Sequence, residues 1–172
     1  FIIMSCANIL IFLGDPKATH TVVFWMLGGL GLAQWNQLIY PLMVLLICGL
    51  WLSSQARILN SMTVGDETAS TLGINVTKFR FVIFVVCALI TGVMVAFSGI
   101  IGFVGLMIPH IVRIFIGGDY VRVLPLSALL GSIFLLWADI AARTIMPPED
   151  MPIGIVTGLV GGIFFVWLLR RK

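Results

Sequence analysis

The chain has 172 residues, of which 60% are hydrophobic and 10% charged, with a net charge of +3 and a mean hydropathy of +1.17. A soluble domain carries about 25% charge, and ten Lys/Arg with seven Asp/Glu cannot clothe this much apolar surface, so lipid must cover it. A soluble enzyme, a disulfide scaffold and a nucleic-acid binder are excluded; at ~20 residues per crossing the chain has room for at most about eight spans, and realistic loops reduce that to four to six.

Residues 1–13 are apolar but too short to span, and read as the end of a helix begun earlier; with no signal-peptide pattern around Phe1, the chain reads as the C-terminal part of a longer protein. A polar loop is expected over 14–20 (GDPKATH), then a short helix over 21–32. Twelve residues of helix reach only ~18 Å, so this one lies at an interface. The stretch 37–54 is long enough to cross, with Pro41 near its start, where a missing N–H costs least, and Arg57 at its exit.

Residues 55–80 are the longest polar segment, with five charges and two glycines bracketing Asp66 to Leu72. Asp66 and Glu67 suit the positive end of a two-turn helix, and Gly73 suits its left-handed stop. Asn75 can cap a further short turn. Two short helices over 61–80 would make a rigid protruding surface rather than a tether, with Val64, Ala69, Leu72 and Ile74 available to bury against a partner. A solvated connector is the plainer alternative.

The 29 residues of 81–109 carry no charge. Gly99, Gly102 and Gly105 permit a turn, which divides the stretch into a crossing over about 81–97 and a shorter helix over about 103–116. Ala88, Gly92 and Ala96 put small residues on one face of the first helix. After the polar turn 117–122, a crossing over 123–145 carries Asp139 and Arg143 at its far end. A proline-rich loop (146–152) and a last crossing (153–169) complete the chain, before Arg170, Arg171 and Lys172.

Alternating crossings place eight basic residues on the side of 55–80 and two, Lys17 and Arg143, on the other, so 55–80 and the C-terminus are expected in the cytoplasm. No catalytic set, metal site or cofactor site is visible. His20 and His110 lie on separate segments without ligand-spaced partners, and Cys6, Cys48 and Cys87 sit singly in apolar runs. Asp139 and Arg143, one helical turn apart, read most simply as a local ion pair.

GDETASTLGI (65–74), SGIIGFVGLMIPHIVR (98–113), LPLSALLGSIFLLWADIAAR (124–143) and MPIGIVTGLVGGIFFVWLLRR (151–171) resemble the FecCD-type permeases of type II ABC importers, as does WMLGGLG (25–31). The resemblance implies an all-α polytopic bundle, helices five to ten of ten, in the bacterial cytoplasmic (inner) membrane. It implies import of iron-siderophore complexes, with haem or cobalamin as the alternative cargo. The implied partners are separate ATPase subunits, a periplasmic or lipoprotein binding protein, a second permease copy or paralogue and membrane lipid; no nucleic acid is involved.

By position, the resemblance puts Asp66, Glu67, Thr68, Ala69, Leu72 and Gly73 in coupling helices that dock on the ATPase. It puts Arg143 opposite a carboxylate of the binding protein, and makes the helix 21–32 and the loop 98–105 the outer mouth. Residues 1–13 and the last helix, with Thr157, would line the pathway. Gly99, Gly102, Phe103, Gly105, Pro109 and His110 form its glycine-rich motif, in which Pro109 would end or kink the short helix. A secondary transporter or respiratory-complex membrane subunit is the alternative from another class. It would need ionisable groups along a proton path, and the charge-free cores of 38–53, 81–109 and 153–169 count against it.

Overall fold

The computed structural model describes residues 5, 9, 11–31, 33–145 and 151–170, less the side chains of 16–18. The described residues form eight named helices: α1 (Pro16–Met26), α2 (Ile39–Ser54), α3 (Ala56–Val64), α4 (Asp66–Thr71), α5 (Val76–Ser98), α6 (Val104–Ile116), α7 (Tyr120–Ile145) and α8 (Ile153–Arg170). α5, α7 and α8 are long and apolar enough to cross a membrane; α2 qualifies jointly with α3, across a 51° bend.

Three helix starts differ from the sequence expectation. Ahead of α1 the described residues 5, 9 and 11–13 are helical; α1 itself begins at Pro16, inside the stretch expected as loop, and ends at Met26 rather than 32. Proline at the first helical position has its φ preset and loses no hydrogen bond, while Gly28, at φ +75°, turns the chain away. The polar stretch is helical already from Ala56, ahead of the 61–80 range expected to be helical, in a segment that ends at Val64. Asn75 caps no separate short turn: its side chain accepts from the Lys78 N–H at 3.0 Å and starts α5 itself. No breaker follows Val76, so the apolar helix extends back through Lys78 and Arg80.

The Gly73 stop is as expected. The Gly73 N–H donates to Ser70 O (2.9 Å) and the Ile74 N–H to Ala69 O (3.2 Å), with Gly73 at φ +82°. This is the paired bonding that satisfies the last carbonyls of a helix. Pro109 does not end its helix: α6 runs on to Ile116 and stops at Gly117, φ +83°. The hydrogen bond that Pro109 cannot make would have gone to Gly105.

The core lies among α6, α7 and α8. Met107, Ile108, Val112 and Val123 are buried together against Leu130, Phe134 and Phe164. Ala138, Ala142 and Ile153 form a second cluster against Leu30 and Met151. No residue in the most apolar window of α5 is fully buried within the chain, although about half of the helix is partly covered, so much of its surface must be covered from outside. The small face of α5 is open as well, with nothing near the Cβ position of Gly92.

Candidate functional site

The chemistry is concentrated at the two ends of the bundle. One end is polar and built from α3, α4, the start of α5 and the α6–α7 turn. Asp66 opens α4 and both its oxygens accept from Arg80 Nη2 at 3.0 Å, which ties α4 to the base of α5. Glu67, Thr68 and Gly73 are exposed, whereas Ala69 has no accessible surface and underpins the helix. Val64 and Leu72 stand out at 73% and 65% exposure, two apolar side chains among polar neighbours.

Beside them α3 meets the α6–α7 turn. Asp119 begins α7 as a cap: its carboxylate accepts from the Val121 N–H (3.0 Å) and its carbonyl from Arg122 and Val123. Asn60, on α3, donates from Nδ2 to Asp119 Oδ1 (2.6 Å) and accepts from the Tyr120 N–H (2.8 Å). The Arg113 guanidinium donates to the Tyr120 hydroxyl (2.9 Å) and lies 5.2 Å from the ring centre. The Asn60 amide first, then the Val121 N–H, hold the Asp119 carboxyl below its ordinary range; desolvation opposes them by less, and the charge of Arg122 adds the smallest lowering.

At the opposite end three connections meet as nearly bare backbone. The Gly29 N–H donates to Ser98 O (2.8 Å), the Gly154 N–H reaches Gly28 O (3.5 Å), and Trp25 Nε1 donates to Ala96 O (3.4 Å). A Cβ on Gly99 would collide with the Trp25 carbonyl, and one on Gly154 with that of Leu27. The turn after α1, the α5–α6 connection and the start of α8 thus form one glycine knot.

Of the motif glycines, Gly99 takes a left-handed φ of +68°, but Gly102 and Gly105 do not; Phe103 does, at +67°. That conformation costs a non-glycine residue about 1–3 kcal/mol. It packs Phe103 directly on Gly161, 5.9 Å from the Phe165 ring centre. His110 is exposed and meets Phe164 edge-on.

Asp139 and Arg143 sit at this same end of α7, Nε to Oδ2 at 2.9 Å, beside Gly29, Gly31 and Met151. Thr157 is fully buried and its hydroxyl donates to Gly154 O (3.3 Å), which leaves none of its surface open. Most of residues 1–13, Cys6 included, and the loop 146–150 lie outside the described residues. Among the described residues no three His, Cys, Asp or Glu are grouped to hold a metal ion.

The sequence pattern of the FecCD transport family matches residues 1–171. The chain belongs to the FecCD transport family. It is 39% identical over 168 residues to the hemin transport system permease protein HmuU of Yersinia pestis, covering 98% of this chain and 50% of that protein. It is 37% identical to the Fe(3+) dicitrate transport system permease protein FecC of Escherichia coli, over 98% of this chain and 51% of the relative. The vitamin B12 import system permease protein BtuC of Vibrio vulnificus is 33% identical over 94% of this chain and 48% of its own length.

A solved structure of a putative metal-chelate type ABC transporter in an inward-facing conformation superposes with a TM-score of 0.91 at 28% identity, covering 99% of this chain and 56% of that one. The chain thus spans about half the length of the curated FecCD relatives it matches. Sequence reasoning found the 65–73 helix but missed Asn60, Gly28 and Gly154. Asp119 was legible in principle, as an Asp directly before a helix.

Proposed function

We propose that the chain is the C-terminal part of the membrane-spanning permease of an ATP-driven importer that carries iron-siderophore complexes across the bacterial cytoplasmic membrane. ATP would be hydrolysed by separate subunits docked on the polar end, and loaded cargo delivered to the glycine end by a binding protein. A second permease copy or paralogue would complete the pathway.

The observation that carries this reading is the polar end itself. α4 is braced by the Asp66–Arg80 pair and by buried Ala69, yet holds Leu72 out beside Val64. Two apolar side chains held out together on a stiffened, otherwise polar platform favour a docking surface over a solvated connector. Glu67, Thr68 and Gly73 would share the contact while Ala69 supports it from beneath. The excess of basic residues at this end supports a cytoplasmic position for it and for the C-terminus. Arg143 would then face the binding protein.

Relatives named for haem, ferric dicitrate and vitamin B12 make the cargo an experimental matter. Reconstituted with its partners in proteoliposomes, the full-length permease should take up a radioiron-labelled hydroxamate siderophore in an ATP-dependent way, with haem, ferric citrate and cobalamin as weak competitors. Uptake of one of those three in preference to the siderophore would replace the cargo and leave the importer reading standing.

A further inference from the structure

α3 is joined to α7 by more than packing. Asn60 uses both ends of its amide on the first turn of α7, donating to the Asp119 carboxylate and accepting from the Tyr120 N–H. The first N–H groups of a helix have no partner within it, and here the first two are taken by Asn60 and Asp119. Ala56, one turn before Asn60 on the same face, is 2% exposed, so the helices can approach closely enough for both bonds. On the other side Arg113 grips the Tyr120 ring and hydroxyl, which draws the end of α6 into the same junction.

α4, by contrast, is tied to α5 through Asp66–Arg80. The proposed docking platform therefore has two separate outlets, one into α5 and one into α7. α7 is a continuous 26-residue helix, about 39 Å long. Its far end carries Asp139 and Arg143 and packs Ala138 and Ala142 against Ile153 beside the glycine knot.

We propose that Asn60 is a positioning residue for transport, a latch that makes α3 and α7 move as one body, so that displacement of the platform by the ATPase reaches the opposite face of the membrane along α7. The proposal rests on the importer reading above and adds to it a specific route. Broken, the latch would leave the platform docked and ATP hydrolysis running, with the stroke lost between α3 and α7.

The test uses the full-length permease assembled with its ATPase subunits and binding protein in proteoliposomes. ATP hydrolysis and uptake of radioiron-labelled hydroxamate siderophore are measured together. Asn60→Ala should keep ATP hydrolysis within about twofold and lower uptake per ATP by about three- to tenfold, the range expected for a residue that carries coupling. Asp119→Asn, whose amide oxygen can still accept from Asn60 and Val121, should stay near wild type.

Spin labels at Thr63 and Ser132, the latter about 18 Å along α7 from its start, give a reading independent of cargo. In wild type their separation should hold constant when nucleotide is trapped in the ATPase, and in Asn60→Ala it should shift or broaden. A wild-type separation that changes on trapping, or an Asn60→Ala variant with unaltered uptake per ATP, overturns the latch. If the wild type takes up no chelate, the importer reading fails by itself, and the label separation still decides whether α3 and α7 move together.

Discussion

Gly154→Ala is the smallest substitution that probes the glycine knot. Its Cβ would overlap the carbonyl oxygen of Leu27, with the Ile100 carbonyl oxygen 3.4 Å away. These are backbone atoms of two separate connections, and neither can rotate aside as a side chain would. Relief requires α8 to move off the α1 turn, which lengthens the Gly154 to Gly28 hydrogen bond and opens the cluster of Ala138, Ala142 and Ile153. Overpacking of this kind costs about 1–3 kcal/mol, and helix propensity returns at most about 1 kcal/mol of it, so the variant should be destabilised. Gly131→Ala is the matched control: it lies inside α7 facing α6, and its added methyl would touch only Ile108 Cγ2 at 3.9 Å. Denaturant titration of the purified full-length permease in detergent should show Gly154→Ala unfolding well before wild type and Gly131→Ala at or beyond it. Equal stability of the two variants would refute the close backbone packing on which the knot depends.

A Cys at Thr71 should be labelled only from the cytoplasmic side and one at Asp150 only from outside, measured with impermeant thiol reagents on intact cells and inverted vesicles; labelling of both from one side contradicts the orientation. Arg143→Glu should weaken association with the loaded binding protein at least about tenfold, because like charges facing each other at an interface cost several kcal/mol, while Asp139→Asn should change it little if the local pair is only structural. Asp119 titrates below the ordinary carboxylate value, so the charge-assisted part of its bond with Asn60 is present above that value (about 3.9) and is lost as pH falls through the lowered one, while the carbonyl oxygen of the protonated carboxyl can still accept. The Thr63–Ser132 label separation should therefore be flat from about pH 5 to 8, and a transition within that window would contradict the lowered titration.

The parts of the fold that read correctly from sequence were those whose signals are local. Long apolar runs gave α5, α7 and α8; Gly73 gave the stop of α4; an Asp and a Glu after Gly65 gave its start. The misreadings share a physical cause. The backbone contacts joining Gly28, Gly99 and Gly154 connect segments from about fifty-five to more than a hundred residues apart, and no local pattern records which glycine approaches which. The left-handed conformation falls on Phe103 instead of neighbouring Gly102 because Gly161 leaves room for the ring. Asn60 is one polar residue in a polar stretch, and becomes a junction only when the fold brings Asp119 and Tyr120 beside it. Ala69 was grouped with the exposed docking residues because its neighbours are exposed, but the turn of α4 places it underneath.

The central claim, that the polar end receives the stroke of an ATPase, is tested most directly by Leu72→Asp. Leu72 is 65% exposed at the end of α4, so the substitution should leave folding and membrane insertion intact while placing a charge in an apolar docking contact, where it would be desolvated without a partner. With ATP hydrolysis and uptake of radioiron-labelled siderophore measured in the same proteoliposomes, the account predicts that uptake per ATP falls to a small fraction of wild type and that the ATPase subunits are held less tightly. Wild-type uptake and wild-type ATPase retention in Leu72→Asp would contradict it.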